Sequence, residues 1–151
     1  MRSFFLLILI IPFCYHALAQ ESIFHKRSKI KKRVEKYYQE NNRKYSVKET
    51  DSTLSYVLND SLTLPATYIY YFDENNRCKK QETIFNCDSC LQKGIKRSLE
   101  ARYVRWIKVG GESYYSTYPY RALMEPVMEN GHFILRYTSM KRKDLKSYEQ
   151  R

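Results

Sequence analysis

The chain has 151 residues, with 27 Lys and Arg against 16 Asp and Glu, a formal charge of +11, four cysteines and 15 tyrosines. That length fits one domain of ordinary size and not two comfortable ones. Glycine and proline are scarce, no internal repeat or low-complexity linker is visible, and only the N-terminus carries a long apolar run.

Arg2, the run "FFLLILIIPF" and the small residues "ALA" before Gln20 read as a signal peptide over residues 1–19. An uncleaved anchor needs about 20 apolar residues, whereas Pro12, Cys14, Tyr15 and His16 interrupt this run. Phe13 stands where lipid attachment at Cys14 would want a small residue. The expectation is therefore an exported protein, in a periplasm or outside the cell, with no transmembrane anchor after processing. It comprises one domain over 20–140 and a charged C-terminal tail over 141–151. Cleavage removes only one charged side chain, Arg2, and leaves 26 Lys and Arg against 16 Asp and Glu.

In "ESIFHKRSKIKKRVEKYYQENNRKY", Ile23, Ile30, Val34, Tyr37 and Tyr38 recur at helical intervals. Ser22 or Ser28 is the expected N-cap, and Asn41 with Asn42 the stop. The next stretch predicts one or two short strands, with Leu54, Tyr56 and Leu58 on one face before a turn at Asn59 and Asp60. "SLTLPA" is a loop, because Pro65 cannot occupy a central strand. "TYIYYFDENNRCKKQETIF" predicts a hairpin that turns at "ENN". A second helix follows, with Leu91, Ile95 and Leu99 as its apolar stripe, Asp88 as its N-cap and Gly94 as a weak point of about 1 kcal/mol relative to Ala. "RYVRWIKV" reads as a strand up to Gly110 and Gly111, and "ESYYSTYPY" as extended chain. A last hairpin joins "LMEPVM" to "HFILRYTSM" through Glu129, Asn130 and Gly131, with Pro126 confined to an edge or a bulge.

This order predicts an α+β fold: a mainly antiparallel sheet, an N-terminal amphipathic helix, a second helix after the central hairpin, and both helices in one layer on one face. In element order alone it resembles small exported binding folds of cystatin-like or β-lactamase-inhibitor-like build.

Three cysteines remain after processing, and Cys87 and Cys90 are the expected disulfide, an exported chain being free to form one. If residues 78–85 are extended, Cys78 lies about 25 Å away at the far end of that strand and stays unpaired. The alternative function is a thiol-disulfide redox protein using Cys87 and Cys90, since a helix N-terminus favours thiolate and Lys93 and Lys96 act in the same direction. A metal site is not expected, because His25 and His132 do not stand at ligand spacing with the cysteines. Neither histidine lies near a Ser or Cys elbow, Asp51, Asp60, Asp73 and Glu74 fall at turns, and no glycine-rich phosphate loop exists. Catalysis and cofactors are therefore not expected.

The reading favoured is a small non-catalytic binding module. Lys26, Arg27, Lys29, Lys31, Lys32, Arg33 and Lys36 form a cationic side on the first helix, suited to lipid headgroups, polysaccharide or an acidic protein partner. If the apolar stripe of that helix belongs to the core, the contact is purely electrostatic and weakens with salt. Tyr114, Tyr115, Tyr118 and Tyr120 form a second candidate contact surface. Nucleic acid is not expected, since no recognition motif is present and export separates the chain from it.

Overall fold

The computed structural model describes residues 22–59, 66–102, 104–141 and 144. The expected leader at 1–19, the expected turn residue Asp60 and loop beyond it to Pro65, and most of the expected charged tail lie outside these residues. The described chain forms two consecutive runs of a helix and four strands. The first holds α1 (Arg27–Glu40), β1 (Tyr45–Glu49), β2 (Thr53–Leu58), β3 (Ala66–Phe72) and β4 (Cys78–Phe85). The second holds α2 (Asp88–Leu99), β5 (Trp106–Gly110), β6 (Ser113–Ser116), β7 (Ala122–Glu129) and β8 (His132–Ser139). All the strands join one antiparallel sheet in the order β1-β2-β3-β4-β8-β7-β6-β5. Each half is thus a helix and a four-stranded meander, and the last strands of the two halves meet at the centre. An α+β class, mostly sheet, follows directly.

Register places Leu54, Tyr56, Tyr68, Tyr70, Gln81, Thr83, Leu135, Tyr137 and Met124 on one face of the sheet. Both helices cover that face: Ile30, Val34 and Tyr38 of α1 and Cys90, Leu91 and Ile95 of α2 share a single core with it. Tyrosine supplies much of that core. Tyr38 lies 4.8 Å from Tyr45 and 5.8 Å from Tyr56, and Tyr56 lies 6.3 Å from Tyr70, centroid to centroid. Tilted and edge-on pairs at these separations add to the area the rings bury. The tyrosine content is thus largely structural in the first half.

α1 starts between the two expected caps, on neither of them. Neither Ser22 nor Ser28 is the N-cap; Lys26 is, with no side-chain cap, and Ser28 lies inside the helix. The chain before α1 pairs with the β3–β4 turn instead: Phe24 N–H donates to Cys78 O, Arg27 N–H to Asn76 O, and Cys78 N–H to His25 O. Those backbone bonds satisfy groups for which a cap would otherwise be needed. Ile23 consequently precedes the helix but remains fully buried. The expected stop holds, with Asn41 as C-cap and its Nδ2 donating to Tyr37 O at 2.8 Å.

α2 departs in two places from its sequence reading. Its N-cap is Cys87 rather than Asp88, because Cys87 is extended and its sulfur accepts from Cys90 N–H at 3.2 Å. Leu99 is exposed, and Ser98 is buried in its place, with its hydroxyl within hydrogen-bond reach of Gly94 O and Tyr137 Oη. Gly94 has a positive reason to be glycine. A Cβ there would sit 2.7 Å from Cζ of Phe85, so any larger residue requires the Phe85 ring to shift.

The expected strand from Arg102 begins only at Trp106, whose indole N–H donates to Ser98 O at 3.0 Å as the chain leaves α2 for the far edge of the sheet. Both hairpin turns form where expected, although Glu129 belongs to β7 and not to the last turn. Asp73 Oδ1 accepts from Asn75 and Arg77 N–H, each at 2.9 Å, and Asn130 with Gly131 adopts positive φ in a two-residue turn. Pro126 pairs with Leu135 of β8, but β6 reaches only to Met124, so β7 is a local edge at the proline.

Candidate functional site

Cys87 and Cys90 form a disulfide across a Cα separation of 5.2 Å, and Cys78 is free and buried. Burial pushes the Cys78 thiol up to about 12, and Sγ donates to Lys80 O, so this thiol is a small core group. It sits at the opposite end of β4 from the disulfide, roughly 23 Å along an extended strand.

The first-helix cations do not act alike. Arg27 and Lys31 turn toward the β1–β2 corner. Arg27 donates to the carbonyls of Thr50 and Asp51 and stacks 4.6 Å over Phe72, while Lys31 Nζ lies 2.7 Å from Glu49 Oε2. The Glu49 carboxylate holds the Lys31 ammonium above its usual value, and the same hydrogen bond holds Glu49 below its own. These two cations fasten α1 to the sheet. Lys29, Lys32 and Lys36 instead project from the outward side, opposite Ile30, Val34 and Tyr38, and are exposed. Lys26 is exposed at the helix start, and Arg33 flanks the stripe. α1 has no acidic residue in its first turn, so the positive end of its macrodipole is uncompensated there. A hollow of about 400 Å³ opens beside it, lined by Lys26, Arg27, Ser28, Asn75 and Asn76.

The second helix continues this surface. Lys93, Lys96 and Arg97 are exposed on its outward side, opposite Leu91 and Ile95. Burial and Tyr37 raise the Tyr68 hydroxyl, while Arg97 of α2 and Arg43 after α1 act in the opposite direction. Both helices thus carry an excess of cations on the same side of the sheet, α1 with six Lys and Arg against two Glu and α2 with three against one Asp, although Lys36 and Lys96 each pair with a glutamate four residues on, Glu40 at 3.6 Å and Glu100 at 3.9 Å. The α2 cations were missed as part of the site, although Lys93, Lys96 and Arg97 stand three and four apart; only the shared sheet face unites them with α1.

The opposite face is nearly balanced. Lys48, Glu82, Arg136 and Glu125 occupy one row across β1, β4, β8 and β7, and Lys80 and Glu129 lie beside it. Glu82, 5% exposed, accepts from Tyr71 Oη at 2.7 Å, Arg136 Nε at 2.7 Å and Lys80 Nζ at 3.1 Å. Burial works against the Glu82 charge, but those three donors outweigh it and hold the carboxyl below its usual value.

The four tyrosines of the second candidate surface do not converge. Tyr114 and Tyr115 are neighbours on β6 and so point to opposite sheet faces. Tyr114 packs against the helix-side core, and Tyr115 is buried with Leu123 and Met140 on the other side. Tyr120 leans on His25 and Phe24 at 5.7 and 6.3 Å, and Tyr118 alone of the four is largely exposed, at 70%. The His25 imidazole is lowered by burial and by Lys29 and Arg33. Among the described residues, no three His, Cys, Asp or Glu side chains gather where a metal could bind, and no helix is long and apolar enough to cross a membrane. The chain matches no family model, no curated protein and no solved structure.

Proposed function

We propose that the exported, mature protein is a binding module whose helix layer docks on a polyanionic surface. The observation that carries this reading is the placement of Lys29, Lys32 and Lys36 of α1 and Lys93, Lys96 and Arg97 of α2 on one side of the sheet, while the other side is charge-balanced. The leader-like residues 1–19 and the disulfide support export. Ile30, Val34 and Tyr38 lie in the core, so α1 has no apolar face left for insertion. The contact is electrostatic: each cation near an anionic surface adds about 1 kcal/mol at low salt, and the sum falls as the Debye length shrinks.

The test is co-sedimentation of residues 20–151 with vesicles of phosphatidylglycerol and phosphatidylcholine, run beside retention on immobilised heparin. Binding to at least one polyanion, absent on pure phosphatidylcholine, is expected. It should be lost at high salt and in Lys29→Glu/Lys32→Glu/Lys36→Glu. Binding indifferent to salt, or unchanged in that variant, would refute the reading. The two supports separate a lipid headgroup from a polysaccharide as the source of the anions.

A further inference from the structure

The geometry points to a second, independent activity: the Cys87–Cys90 disulfide is an exchangeable couple that is passed to client dithiols, with Cys87 as the sulfur that meets the client and Cys90 as the sulfur that leaves.

The two sulfurs differ in access. Cys90 is 4% exposed and belongs to the core under α2, whereas Cys87 is half-buried at the core margin, ahead of the first helical turn. An incoming thiolate therefore reaches Cys87. The Cys87 sulfur is also the N-cap acceptor, taking the Cys90 N–H at 3.2 Å, and Ser89 Oγ lies 3.2 Å from it. Both donors strengthen when the sulfur becomes an anion, and the uncapped N–H groups of the helix start favour the same charge. Asp88 opposes it from the next position. The bond also spans only three residues, so it restricts the unfolded chain little and contributes little as a crosslink. The cap survives reduction, because the same sulfur accepts the same N–H as thiolate. The fold is thus built to persist in both redox states.

The exchange balances without a further reagent in its first turnover. A client thiolate attacks Cys87 Sγ, the Cys87–Cys90 bond breaks, and Cys90 leaves as thiolate and takes up the proton released by the client's second thiol. That second client thiolate then attacks its own sulfur in the mixed disulfide and expels Cys87 as thiolate at the helix N-terminus. The client dithiol is oxidised by two electrons to a disulfide, and the pair is reduced to two thiols. A good leaving thiolate speeds the second step. Cys78 takes no part, being buried at the other end of β4.

The test uses oxidised residues 20–151 and glutathione as the thiol probe, with reduced ribonuclease as the dithiol client. The native pair should reach a measurable equilibrium with glutathione and its disulfide while the circular dichroism spectrum stays native. About one client disulfide should form per chain. Cys87 in the Cys90→Ser variant should react with glutathione disulfide at least about tenfold faster than Cys90 in the Cys87→Ser variant. A pair that stays oxidised in excess glutathione until denaturant is added, or that opens only with loss of the fold, would make the bond a structural staple and overturn the inference. Neither outcome depends on polyanion binding, so the two proposals stand or fall separately.

Discussion

The two halves share one plan and reach it by different chemistry. α1 is started by backbone hydrogen bonds to the β3–β4 turn and rests on a tyrosine stack, Tyr38, Tyr45, Tyr56 and Tyr70. α2 is started by a disulfide sulfur and rests on Leu91, Ile95 and a glycine set against Phe85. The lesson is that repetition here lies in topology and not in residue identity. A helix over a four-stranded meander can be nucleated and packed in several ways, so two such units need not look alike as sequences. What unites them is the β4–β8 seam, where Glu82 and Arg136 face each other.

The comparison breaks if the halves are independent. The sheet is continuous across the seam, so denaturant unfolding should show one transition, and Tyr70→Ala and Ile95→Ala should each shift it as a whole. Tyr70→Ala is the larger, costing about 3–5 kcal/mol, and Ile95→Ala about 2–4 kcal/mol. Two separated transitions, each sensitive to one substitution, would show two autonomous units.

The seam itself comes next. Glu82→Gln should cost about 2 kcal/mol at neutral pH, less than for a fully buried pair because Arg136 and Lys80 keep some access to water. The folded Glu82 carboxyl lies below its unfolded value of about 4.3, so its contribution is fully present above that pH and disappears as pH falls through the folded value. The gap between wild type and Glu82→Gln should close below about pH 4, as read from denaturant midpoints across pH.

Gly94→Ala sharpens the contrast between the helices. Propensity alone would gain about 1 kcal/mol, but the Phe85 ring must move, at about 1–3 kcal/mol, so a net loss of about 1 kcal/mol is expected. Phe85→Leu should make Gly94→Ala less harmful than it is alone, which a double-mutant cycle would detect. The smallest effect is a gain. Gln81 is fully buried between Tyr70 and Tyr137, and neither its Oε1 nor its Nε2 has a hydrogen-bond partner among the described residues. Gln81→Met should raise stability by about 1 kcal/mol, measured by thermal and denaturant unfolding.

Much of this architecture was legible residue by residue. Alternation marked β2 and β3, Asn-Gly marked the last turn, and local spacing singled out Cys87 with Cys90. The misses have a common cause: a tertiary partner replaced a local one. Lys26 needed no side-chain cap because Asn76 O takes the next N–H, Cys87 displaced Asp88 through its sulfur, and Ser98 took the buried place of Leu99 because Tyr137 reaches it. The tyrosine cluster was misleading for a simpler reason. Adjacent residues of a strand point apart, and that parity becomes visible only once β6 is known to be a strand. The cationic site was half legible. The α1 stripe stood out in the sequence, but its union with Lys93, Lys96 and Arg97 depends on both helices covering the same sheet face.

That union is tested most directly by the salt dependence of affinity for whichever of the two polyanions retains the protein, compared among wild type, Lys29→Glu/Lys32→Glu/Lys36→Glu and Lys93→Glu/Lys96→Glu/Arg97→Glu. If the two helices form one polyanion-binding layer, each triple variant should lose affinity, and the slope of log K against log salt should shallow in both by roughly one for each contact removed. A slope that changes only with the α1 variant, or with neither, would contradict it.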